Sequence, residues 1–109
     1  MEEDFEILIN ELKKRFSKYK KSDIIITEHA EIRALERDID LDEVKNNILN
    51  PVRLVYAKEL NSQKEGEFKY ECYFNYSKSY CHKYILTINS KVIIVTIINI
   101  NRDWQRSIK

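Results

Sequence analysis

His29, Arg33 and Arg37 stand at i, i+4 and i+8 within the run Thr27-Glu28-His29-Ala30-Glu31-Ile32-Arg33-Ala34-Leu35-Glu36-Arg37-Asp38-Ile39. On an α-helix that spacing makes one ridge, drifting about 40° per step. A guanidinium group offers a planar fork that matches a phosphate, and an imidazole beside it can take or give a proton near neutral pH. The two arginines repel one another at i, i+4, at a cost of about 0.2–0.5 kcal/mol. Glu36, a carboxylate from another element or a bound phosphate could each offset that cost. Two readings follow. In one, the ridge is a solvated helix side with a cap-associated histidine and ion-paired arginines. In the other, Arg33 and Arg37 hold an RNA phosphate while His29 moves a proton.

Other residues could join such a site. His82 falls in alternation with Tyr80, Tyr84, Leu86 and Ile88 on a predicted strand. It is either a hydrogen-bonded histidine flanking the core or a second proton-transfer group facing His29 across the sheet. Tyr70, Tyr73, Tyr76, Tyr80 and Tyr84 crowd one hairpin, where cross-strand packing accounts for most of them. Tyr73, expected on the polar face, is the candidate for stacking on an RNA base. Trp104, between Arg102 and Arg106, either covers the sheet edge or offers a second stacking platform flanked by phosphate-binding arginines. The two histidines are far apart in the chain and there is no Cys-x-x-Cys pair, so no dedicated zinc site is expected. A single glycine leaves no room for a Gly-rich phosphate loop, and no cofactor is expected.

These residues need elements to position them. Leu8, Ile9, Leu12, Phe16 and Tyr19 follow Phe5 at helical period and predict a first helix, acidic at its start and basic from Lys13 to Lys21. Ile24-Ile25-Ile26 reads as a short strand or extended connection. Thr27 reads as the N-cap of a helix over 28–37 that buries Ile32 and Leu35. Asp40, with Glu43 three residues on, reads as a capping box opening a third helix whose inner face carries Leu41, Val44 and Ile48 and which ends at Asn50-Pro51. From Val52 the period becomes two, giving strands near 52–57, 68–76, 80–89 and 92–100. A hairpin of 68–76 with 80–89 sets Cys72 opposite Tyr84 rather than Cys81, so two free thiols are expected. Val92–Ile98 is apolar on both faces and belongs inside the sheet.

With 109 residues, 43% of them hydrophobic, the chain suits a single α+β domain over 1–109. The formal net charge is only +1, so a nucleic-acid role requires basic residues clustered locally. The longest apolar stretch is far too short to span a bilayer. Met1-Glu2-Glu3-Asp4 lacks the basic and apolar regions of a signal peptide, and a cytoplasmic location is expected.

The pattern His29-Ala30-x-x-Arg33-x-x-x-Arg37-x-Ile39, followed by Asp40-Leu41-Asp42-Glu43-Val44, a helix, Asn50-Pro51 and a run of strands, resembles a domain-of-unknown-function family. That family is related to BrnT and, more distantly, to the RelE/ParE toxins. The resemblance covers a core of 24–101 and leaves 1–21 as a helical extension. It implies helices packed on a sheet of about four antiparallel strands. It also implies metal-independent RNA cleavage and a cognate antitoxin as partner. Independently of the resemblance, the chain is expected to fold as a monomer or a dimer. His29, Arg33 and Arg37 match the family's motif; no residue matches the C-terminal catalytic position of RelE-like toxins. The alternative is a non-catalytic module of the same fold that binds RNA or a protein.

Overall fold

Among the described residues, helices form where the apolar period is 3.6 and strands where it is two. The structure, a computed structural model, describes residues 2–61, 65–75 and 80–101. Helix α1 spans Glu2–Phe16, strand β1 Ile24–Ile26, α2 Glu28–Glu36 and α3 Leu41–Leu49. Strands β2 to β5 follow at Leu54–Leu60, Phe68–Asn75, Tyr80–Ile88 and Val92–Asn101. A 3-10 turn at Pro51–Arg53 links α3 to β2. No helix among the described residues is long and apolar enough to cross a membrane.

The strands form one sheet in the order β1-β5-β4-β3-β2. Strands β2 to β5 pair antiparallel in sequence order, whereas β1 lies parallel to β5, Ile24 to Ile26 against Val92 to Ile94. The sheet is therefore five-stranded and mixed, not four-stranded and antiparallel as expected. Three consecutive β-branched residues just ahead of the Thr27 cap suffice to add an edge strand. Cys72 lies opposite Tyr84, as the hairpin spacing requires, and both cysteines are free and buried. Strand β5 is interior, which accounts for its apolar residues on both faces.

All three helices bury apolar residues with one face of the sheet. Ile9, Leu12 and Phe16 of α1, Ala30 and Ala34 of α2, and Val44 and Ile48 of α3 meet Tyr70, Cys72, Phe74, Tyr84, Leu86, Ile88, Val92, Ile94 and Ile97. Fully burying a side chain such as Phe16 contributes roughly 1.5–3 kcal/mol.

Helix α2 is rotated away from the expected position. Ile32 and Leu35 are 49% and 81% exposed, while Ala30 and Ala34 are fully buried. Ala30 and Ile32 project about 200° apart on a helix, so only one can face inward. The choice is made at the helix ends. Thr27 accepts a hydrogen bond from the Ala30 N–H at 3.2 Å and donates one to the Val95 carbonyl at 3.3 Å. Val95 is the extra residue of a β-bulge, lying between Ile94 opposite Leu86 and Thr96 opposite Ile85. At the other end Ile39 is buried. Alanine on the inner side lets the α2 backbone approach β5 closely.

That C-terminal end is a Schellman motif. The Ile39 N–H donates to the Ala34 carbonyl at 2.8 Å and the Asp38 N–H to the Leu35 carbonyl at 3.3 Å. Asp38 occupies the position that usually holds glycine, at φ 55°. Aspartate tolerates the left-handed region better than most residues but still bears a penalty of roughly 1 kcal/mol there. Asp38→Gly is therefore expected to stabilise the fold by about 0.5–1 kcal/mol. Urea unfolding of the two proteins measures this, and a loss of stability contradicts the assignment.

Candidate nucleic-acid interface

The anchored N-terminus of α2 sets the ridge. His29 lies exposed in the first turn, two residues beyond Thr27. One and two turns on, Arg33 and Arg37 are half-buried along the side of the helix. Glu36 joins them: its Oε2 is 3.4 Å from Arg33 Nη1 and 3.8 Å from Arg37 Nη1. Arg37 Nη1 also donates to the Arg33 carbonyl at 3.3 Å. The repulsion between the arginines is thus offset by Glu36. Two guanidinium charges share one carboxylate, which leaves a net positive charge on this side of α2. The ion pairs are single contacts between partly exposed groups, each worth about 0–1 kcal/mol. Ile32 and Leu35 lie exposed on the outward side of the same helix.

His82 occupies a different environment. It is 2% exposed, on β4, with Nδ1 2.8 Å from the Tyr84 hydroxyl. That hydroxyl accepts a hydrogen bond from Asn47 Nδ2 of α3, also at 2.8 Å. The Tyr84 hydroxyl thus lies between Asn47 Nδ2 and His82 Nδ1, and the tautomer of the imidazole sets which partner donates in the second contact. Burial, reinforced by the nearby Arg53 charge, lowers the His82 pKa to about 4. Burial likewise pushes the Tyr84 hydroxyl well above its ordinary range. His82 is opposite Asn99 on β5, whereas Thr27 is bonded to Val95. Those four residues span about 13 Å of strand. The structure thus groups His29 with Arg33 and Arg37, and His82 with Tyr84 and Asn47.

Tyr73 lies on the sheet face opposite the helices, as its alternation predicts, but is only 9% exposed. Its hydroxyl bonds to Glu71, its ring meets Tyr56 edge-on at 5.2 Å, and Lys83 Nζ is 3.3 Å from Glu71. Burial, then the Glu71 hydrogen bond and charge, push its pKa upward. Arg102, Trp104 and Arg106 lie outside the described residues. Sequence reasoning did not single out Asn47 or its pairing with Tyr84. The available signal was a polar side chain between Val44 and Ile48 on the apolar side of α3.

The His82 environment has a pH consequence. Its folded pKa lies below the unfolded value of about 6.5, so the unfolded chain binds the proton first on acidification. The stability from keeping this imidazole neutral is full above about pH 6.5, falls between pH 6.5 and 4, and is lost below that. The loss is about 3 kcal/mol. Urea unfolding from pH 7.5 to 4 measures it, with His82→Gln expected to flatten the dependence. An equal slope in both proteins contradicts the assignment. Comparison of the chain with protein-family models, curated proteins and solved structures finds no match.

Proposed function

We propose that the chain is a toxin-like domain, of the RelE/BrnT kind, that binds single-stranded RNA along α2 and cleaves it without a metal ion. The observation that supports this reading is that His29 is open to solvent on the ridge where two arginines share a single carboxylate. Arg33 and Arg37 hold a phosphate and stabilise the charge that grows on it as the reaction proceeds. His29 takes the proton of the ribose 2′-hydroxyl. The 2′-oxygen attacks phosphorus, the bond to the 5′-oxygen breaks, and water protonates that leaving oxygen. The products are a 2′,3′-cyclic phosphate and a 5′-hydroxyl. Proton transfer of this kind contributes about 10²–10⁴-fold. An antitoxin would silence the domain by covering the ridge, with Ile32 and Leu35 giving it apolar contact. A second reading, binding without cleavage, is favoured by the burial of His82, which removes the other histidine from contact with solvent.

Single substitutions separate the two readings. Arg33→Ala and Arg37→Ala are each expected to weaken binding of a single-stranded oligoribonucleotide. Each should also lower the slope of log affinity against log salt by about 0.7. Glu36→Gln should strengthen binding, because it removes the carboxylate that competes with phosphate. His29→Ala should preserve binding and reduce cleavage at least a hundredfold. Binding that depends on the arginines without cleavage by the wild type selects the second reading. Binding indifferent to all four changes overturns the site.

A further inference from the structure

A cleft of about 400 Å³ runs along α3 and the 3-10 turn that follows it. Asn46 and Asn47 of α3 with its C-cap Asn50 form one side, and Val52 and Arg53 of the 3-10 turn the other. Glu43 and Arg53 meet across it at 3.6 Å, with Asp40 and Asp42 near the start of α3. We propose that this cleft is a guanine-selective base site, in which the Glu43 carboxylate, the Arg53 guanidinium and the Asn47 carboxamide read the Watson–Crick and Hoogsteen edges of the base.

The donor and acceptor pattern favours this occupant. Guanine presents two adjacent donors, N1–H and N2–H, which suit a carboxylate, and two adjacent acceptors, O6 and N7, which suit a guanidinium fork. Adenine presents neither pair. The Glu43–Arg53 bridge is one contact between half-exposed groups, so both retain hydrogen-bonding positions for a ligand. Asn47 is 5% exposed and lines the cleft. It donates from Nδ2 to Tyr84, and its oxygen has no hydrogen-bond partner among the described residues. An exposed Val52 gives the base an apolar surface. Three carboxylates against Arg53, with Lys21 3.4 Å from Asp42, leave the cleft net negative, which repels a phosphate but accepts a neutral, donor-rich base.

Position links the cleft to the ridge. Arg37 and Glu43 are six residues apart, so their Cα atoms lie within about 22 Å. In this proposal a strand whose phosphate rests on Arg37 reaches the cleft with a base farther along its length. A guanine site here rests on the RNA reading above, since it assigns the bound strand its preferred base.

Nucleosides test the cleft without the ridge, because they carry no phosphate. The full chain is titrated with guanosine and with adenosine, following side-chain amide resonances of asparagine by NMR. Guanosine is expected to bind at least tenfold more tightly and to shift the Asn47 amide. Glu43→Gln should erase that preference, whereas Arg33→Ala should preserve it. Equal affinity for the two nucleosides, no binding of either, or a preference unchanged by Glu43→Gln overturns the proposal. Two oligoribonucleotides, UUGUUU and UUAUUU, then separate the claims. If neither binds, the RNA reading fails whatever guanosine does. If both bind equally, the RNA reading stands and the guanine site fails.

Discussion

One hydroxyl group holds the ridge in place. Thr27 Oγ accepts from the first turn of α2 and donates to the carbonyl that the β5 bulge leaves beside it. Its backbone N–H extends the contact by donating to Ile94. A regular ladder would not present the Val95 carbonyl in this way, so the bulge and the cap act as one joint. The joint sets where α2 begins and, with Ile39 at the far end, which side faces the sheet. It places the alanines inward at the expense of burying Ile32 and Leu35. The direction of His29, Arg33 and Arg37 follows from that rotation.

A second polar feature ties α3 to the sheet. Asn47, Tyr84 and His82 form a buried chain of hydrogen bonds between helix and strand. Each group lost hydrogen bonds to water on burial and replaces them only if the others stay in register, so a half-made chain would leave a costly unpaired group. Apolar contacts such as Val44 and Ile48 hold α3 against the sheet, but they tolerate small slides. The polar chain does not, and it fixes the helix along its axis.

The local part of this architecture is legible in the sequence. Thr27 and Asp40 act as the caps their side chains suggest. Cys72 faces Tyr84, and Glu36 stands between the arginines. What was hidden is non-local. Glu43 turns away from the α3 cap toward Arg53 at 3.6 Å, ten residues on, which leaves the cap to the local bond from the Asp42 N–H to Asp40. Ile32 and Leu35 are as apolar as the buried stripe of α1, and only the Val95 joint explains why α2 turns them out. Tyr73 occupies the polar-face position in the alternation yet is buried, because Tyr56 of β2 packs on its ring and Glu71 of its own strand takes its hydroxyl. Nothing near Ile24 specifies that its partner is Val92.

That last pairing bears on the order of assembly. Strands β3, β4 and β5 are joined by short connections, so their pairing closes small loops. The β1–β5 pair joins residues 24–26 to residues 92–94, across nearly the whole core. Closing so long a loop has a higher entropic cost and yields only a three-residue strand in return. Loop closure therefore favours early formation of the meander and late docking of β1. On the same ground the segment that β1 and Thr27 anchor is expected to open more readily than the meander, seen as faster amide hydrogen exchange over 27–37 than in β3 and β4, and uniform exchange across both regions contradicts that.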